Sequence, residues 1–235
     1  MRKQLALAVS SIGLCLSAFA ADMSIVSIDS DGMGAVAKGD EVLKGTSGVV
    51  IKKINEGKST VAAKAIAMGS GKEIKVRFEV FEALAQPALP RPIVRPQVGD
   101  GIVFGAFNNR ATVIAKNQAD YQKAVSSDQK EWVHPDLFGA ILIRDRIGAP
   151  NRANFAEFCD AYSVGQLYFP IMGRVYVADC QSMEVVKEYA LPTDQSSEFE
   201  SPFFKRTGEV ETGYLGMMKT SVKDYEPYYL RLIGR

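Results

Sequence analysis

Chemistry needs particular residue types at particular spacings, and this chain offers few of them. It has one histidine, His134, directly before Pro135. Any Ser-His-Asp or Cys-His catalysis would have to run through it. No Gly-x-Ser-x-Gly is present, and Gly45-Thr46-Ser47-Gly48 has the wrong spacing and reads as a turn. His134 is therefore read as a cap or turn residue. Gly69-Ser70-Gly71-Lys72 looks like part of a phosphate loop, but Ile66 fills the required glycine position and Glu73 stands where Ser or Thr belongs. These glycines are read as a hairpin turn. Asp29-Ser30-Asp31-Gly32 opens like a calcium loop, yet Asp40 occupies the twelfth position, where a bidentate Glu is needed. Zinc would need four N or S ligands, which Cys159, Cys180 and His134 do not supply. The chain is expected to be non-enzymatic, with no catalytic residue, no cofactor and no metal ligand.

The cysteines carry more information once the N-terminus is read. Arg2 and Lys3 precede an apolar run from Leu5 to Leu16, and Ala18-Phe19-Ala20 has the small-x-small pattern of a signal-peptidase site. Residues 1–20 are predicted to be a signal peptide. The run is too short to span a bilayer, which takes ~20 apolar residues. Leu14 is too large to precede a lipidated Cys15. Removing this segment leaves Cys159 and Cys180. In an oxidising compartment the two invite one disulfide; the alternative is two buried thiols in a sheet–helix core. Their spacing is not that of a C-x-x-C redox pair.

Composition sets the class. The 235 residues are 47% hydrophobic and 23% charged, so a folded core is expected and global disorder is excluded. The formal charge is +1 and becomes −1 without Arg2 and Lys3. With no basic block, nucleic acid is excluded as the main partner, because counterion release needs clustered Lys and Arg. Residues 21–116 show period-two alternation. Ile74, Val76, Phe78 and Val80 alternate with Glu73, Lys75, Arg77 and Glu79. Val49 to Ile54 and Ser59 to Ala67 form a predicted hairpin around Asn55-Glu56-Gly57. Ile102 to Phe107 and Ala111 to Ala115 form another around Asn108-Asn109, and Ser24 to Ile28 adds a strand. A small antiparallel barrel or sandwich would hide the edges. The segment Gln86 to Pro96 holds four prolines and must be extended and stiff. It reads either as a rigid crossover packed through Leu89, Ile93 and Val94, or as a strap presenting Arg91 and Arg95 to a partner.

Residues 117–235 are predicted to be α+β. Asn117 caps a helix through Ser126. Pro135 opens a second, with Leu137, Phe138, Ile141 and Leu142 on one face. Phe155, Phe158, Cys159 and Tyr162 share the face of a third, opened near Asn151. Val164 to Phe169, Arg174 to Cys180 and Met183 to Tyr189 follow closely enough to form a three-stranded antiparallel meander with the helices laid on it. The last forty residues look irregular but aromatic-rich, through Phe203, Phe204, Tyr214, Tyr225, Tyr228 and Tyr229, and are expected to pack on the rest.

Several separated motifs occur in order: Phe81-Glu82-Ala83-Leu84, Leu89-Pro90-Arg91-Pro92, Gly99-Asp100, Phe107-Asn108-Asn109-Arg110-Ala111, Cys159-Asp160-Ala161-Tyr162-Ser163-Val164-Gly165 and Ser201-Pro202-Phe203-Phe204. Together they resemble the N-terminal domain of the bacterial plasminogen-binding protein PgbA family, over most of the chain. The resemblance implies a Gram-negative envelope location, in the periplasm, at the outer membrane or on the cell surface, and a non-enzymatic interaction role with a protein partner such as host plasminogen. The family continues into a charged tail ending in lysine, whereas this chain stops at Leu230-Arg231-Leu232-Ile233-Gly234-Arg235. Arginine replaces a compact ammonium by a planar fork. Arg231 and Arg235 are thus candidate partner contacts beside Arg91 and Arg95. A structural scaffold of the envelope that binds no plasminogen is the other expectation.

Overall fold

The computed structural model describes residues 22–81, 94–193, 199–210 and 221–235. The signal segment, Arg91, most of the proline-rich stretch and Tyr214 lie outside the described residues.

The first part is a closed barrel rather than a sandwich. Strands β1 (Met23–Ile28), β2 (Gly34–Val42), β3 (Ser47–Asn55), β4 (Lys58–Ala67), β5 (Gly71–Glu79) and β6 (Gly101–Phe104) close in the order β1-β2-β5-β4-β3-β6. All neighbours are antiparallel. Closure leaves no unpaired edge, as a set of short alternating strands demands. The β3–β4 hairpin and the β4–β5 turn at Gly69-Ser70 match the sequence reading, with Ser70 Oγ accepting the Lys44 N–H at 2.8 Å. Asp29 to Gly32 is the β1–β2 turn, where Asp31 accepts the Met33 N–H at 2.8 Å. The interior holds small side chains: Ala35, Ala37, Ala63, Ala65 and Ala67 beside Val50, Val76 and Ile102.

The predicted second hairpin of the barrel is not formed. β6 stays in the barrel, but β7 (Arg110–Val113) leaves it and enters a second sheet. Its five strands run β11-β10-β9-β7-β8, with β8 (Glu131–Trp132), β9 (Gln166–Ile171), β10 (Arg174–Asp179) and β11 (Val185–Ala190). β9, β10 and β11 are the predicted antiparallel meander. β7 instead pairs in parallel with both β9 and β8. The physical reason is burial on both faces. Ala111, Thr112 and Val113 are buried, Ile114 and Ala115 with them. Such a continuous run suits an inner parallel strand better than a half-exposed hairpin arm.

Helices cover both faces of this sheet. α1 (Gln118–Ser126) packs on the face carrying Val113, Tyr168, Val175 and Val177. α2 (Pro135–Arg144), α3 (Arg152–Tyr162) and α4 (Tyr225–Leu232) pack on the other, around Phe138, Phe155, Phe158, Phe169 and Tyr229. Asn117 caps α1 and Asn151 caps α3 in a reciprocal box with Asn154. α4 corrects the reading of the last forty residues as irregular throughout. Pro227 falls in its first turn, where no amide donor is needed, so it does not break the helix. The aromatic residues there do pack inward, as expected: Phe203, Tyr225 and Tyr229 are fully buried. Among the described residues no helix is long and apolar enough to cross a membrane.

Candidate functional site

Three places in the molecule could act on something else: the seam between barrel and sheet, the apolar end of the barrel, and a basic groove beside α4.

The seam is built from the tight β10–β11 turn. Asp179 is buried, and its Oδ2 accepts both the Ser47 N–H and the Ser47 hydroxyl at 2.8 Å. Its Oδ1 accepts the Gln181 and Ser182 N–H groups at 3.0 and 3.1 Å. Burial pushes this carboxyl up from its ordinary range, while the bonds from Ser47, Ser182 and Gln181 pull it down. The Ser182 hydroxyl donates to the Gly45 carbonyl at 2.6 Å. Gly45 has φ +85°, and a Cβ there would collide with the side chain of Glu184. Glycine is thus required by conformation and by contact.

Beside this turn, the barrel offers one buried cation. Lys64 sits on β4, 7% exposed, with Nζ 3.2 Å from Asp160 Oδ1 and 2.5 Å from Gln181 Oε1. Gln181 Nε2 donates to Asp160 Oδ1 at 2.8 Å, closing a triangle. A buried ammonium is tolerable only with such acceptors. The two acceptors directly follow Cys159 and Cys180, which form a disulfide with a Cα–Cα separation of 6.0 Å. Phe81 and Phe107 stack nearby at 6.3 Å, and the cavity they line with Val49 and Val164 is about 20 Å³. That holds one water and no larger ligand.

The second place is defined by topology. In the antiparallel barrel, the β1–β2 turn, the β3–β4 turn, the end of β5 and the approach to β6 share one end. The opposite end carries the β2–β3 connection that docks on Asp179 and Ser182. The end away from the seam bears Met33, Ile54, Val80 and Val98, each more than 60% exposed. Arg95 lies here, exposed, its carbonyl accepting from Lys52 Nζ at 3.2 Å.

The third place is shallow. Arg231, in the last turn of α4, lines a groove with Arg152, Tyr228 and Asn151. Arg152 Nε donates to the Leu232 carbonyl at 2.8 Å. Arg235 reaches Glu188 on β11 at 3.9 Å. Arg95 is therefore carried by the barrel and Arg231 and Arg235 by the second part, so these candidate contacts form no single patch.

His134 is engaged structurally. It is the N-cap of α2, and its Nδ1 accepts the Asp136 N–H at 3.1 Å. Tyr121 and Phe204 flank the ring at 5.1 and 6.2 Å. Burial holds its imidazole below the ordinary range, against the pull of Asp136. The residues missed from sequence are Ser47, Lys64, Asp160, Asp179, Gln181 and Ser182. One signal was present: Lys64 is a lone charge within the otherwise apolar Val61 to Ala67.

A small closed barrel docked on a helix-covered mixed sheet defines an α+β protein, with Ser47, Lys64, Asp160, Asp179, Gln181 and Ser182 joining its two parts. The chain belongs to the family described as "Plasminogen-binding protein pgbA N-terminal", whose profile matches residues 21–233. It is similar to "Plasminogen-binding protein PgbA" of Helicobacter pylori strain J99 and to the protein of the same name in strain 26695. Each is 28% identical over 195 residues, covering 81% of this chain. The chain spans only 42% of the length of these curated relatives. No solved structure matches it.

Proposed function

We propose that the chain is an exported, non-enzymatic protein-binding module of the bacterial envelope, with host plasminogen as its partner. The observation that carries this reading is the family match over residues 21–233, together with relatives named for plasminogen binding. The short apolar N-terminal run with its small-x-small end supports export. His134, committed to a helix cap and flanked by aromatic rings, supports a role without catalysis. The plasminogen contact is assigned to Arg231 and Arg235, which are exposed near the C-terminus, with Arg95 and Arg91 as a second contact.

The test is binding of residues 21–235 to immobilised plasminogen, with and without a free lysine analogue. Binding that the analogue removes is expected; no binding at micromolar protein overturns plasminogen as the partner of this chain. The contact is tested with Arg231→Ala and Arg235→Ala rather than by trimming, because Ile233 between them is buried and its loss would damage the core. Unchanged binding in the double variant would move the contact elsewhere.

A second reading, an envelope scaffold, is favoured by the apolar barrel end at Met33, Ile54, Val80 and Val98. Exposed apolar clusters on otherwise polar surfaces mark interaction sites. It predicts an envelope partner crosslinked at that end in intact cells. A protein that stays monomeric and uncrosslinked there would end it.

A further inference from the structure

The two sides of the seam are far apart in sequence and joined by few bonds. Every residue of the turn from Asp179 to Ser182 is committed. Asp179 takes Ser47, Ser182 takes Gly45, Gln181 takes Lys64, and Cys180 is bonded to Cys159. The cystine thus fixes the turn to α3, and by doing so sets Asp160 and Gln181 at one separation, where both meet the same ammonium. If the turn and the helix drift apart, Lys64 keeps at most one of its acceptors. An ammonium short of acceptors is unfavourable in a buried position, so it gains by reaching water, which requires the seam to part.

We propose that the Cys159–Cys180 cystine is a latch: oxidised, it holds the barrel docked on the second sheet through Asp160, Gln181 and Lys64; reduced, it lets the barrel undock with both cores intact. The covalent step is ordinary exchange with a dithiol. The cystine gains two electrons and two protons and becomes two thiols, while the dithiol is oxidised to its own disulfide. Cys159 and Cys180 are 1% and 0% exposed, so the reductant reaches them only when the seam opens. Latch and docking are then reciprocal, each protecting the other. Nothing in this depends on whether plasminogen binds.

One amide reports on the latch directly. The Ser47 N–H is bonded across the seam to Asp179 Oδ2 and not to a barrel strand, so its hydrogen exchange measures docking alone. The experiment is amide exchange of residues 21–235 by NMR, oxidised and after a dithiol reductant. Ser47 is expected to exchange about tenfold faster on reduction, the β3–β4 and β9–β10 ladders keeping their protection. Unchanged exchange at Ser47 overturns the proposal, and so does a rise shared equally by all the ladders, which would be general destabilisation. Lys64→Met, which leaves the cystine in place, supplies the second arm. It should raise Ser47 exchange about tenfold while oxidised, leave reduction with less than about a threefold further effect, and speed reduction of the cystine about tenfold. Effects of the variant and of reduction that simply multiply would show that the cystine does not act through Lys64.

Discussion

The two cores of this molecule solve the same problem with opposite materials. The barrel is filled mostly by alanines and β-branched residues, with Met23 and Phe78 buried among them and Phe104 packed at the margin. The space between the second sheet and its helices is filled by rings: Phe138 lies 4.6 Å from Phe155, 4.9 Å from Phe158 and 5.5 Å from Phe203. Geometry accounts for the difference. Six strands close around a space too narrow for large side chains on every inward position. A helix on a sheet stands off by a full side chain, and rings fill that layer with area and edge contacts. Small cores are intolerant of addition, and ring-filled cores of subtraction.

The aromatic layer should suffer most from a single truncation. Phe138→Ala, between three other rings, should lose ~3–5 kcal/mol in a denaturant titration. A loss under ~1 kcal/mol would mean the layer collapses around the gap. The matching test in the barrel is Ala65→Leu, at a fully buried position, expected to cost ~1–3 kcal/mol by overpacking. If it is neutral, the barrel has spare volume and the contrast fails.

A smaller effect, about 1 kcal/mol, is expected for His134→Ala, which removes the cap of α2. Burial holds the folded-state pKa of His134 low, and the neutral ring is the one that caps. Its contribution is therefore complete above the unfolded value of ~6.5 and fades as pH falls through the folded value. Asp136, held low chiefly by bonds from Arg206 that overcome its burial, acts in the carboxylate range instead. As pH falls below the unfolded value of ~6.5, wild type should weaken more than the variant does. Equal slopes would exclude a titrating cap. The smallest effect belongs to the end of the barrel away from the seam. Ile54→Ser, at a position 64% exposed, should change stability by less than ~0.5 kcal/mol. A larger loss would show Ile54 packed in a way its exposure hides.

Much of this was legible in the residues. The caps Asn117, His134 and Asn151 stand one position before the helices they open, and local signals of that kind need no tertiary context. Cys159 and Cys180 were readable as a pair. β2 was not, because Gly34 and Gly39 weaken its pattern; a Cβ would meet the Asp29 side chain at Gly34 and the backbone of Asp22 and Met23 at Gly39. β7 was misplaced because a run of five buried residues looks the same in a hairpin arm and an inner parallel strand until its partner is known. The seam was out of reach for a similar reason. Ser47 and Asp179 are 132 positions apart, and no periodicity links residues across such a distance.

The parallel pairing of β7 also sets a timetable. A chain made from its N-terminus completes the barrel once residue 104 is available, since β6 is its last strand. β7 follows within ten residues, but its partner β9 begins only at Gln166. Through that interval the apolar stretch from Ala111 to Ala115 stands uncovered beside a finished barrel, held by nothing downstream. Newborn chains with such exposed stretches are those that aggregate or call on chaperones. The vulnerable moment in the life of this protein comes before its second half exists.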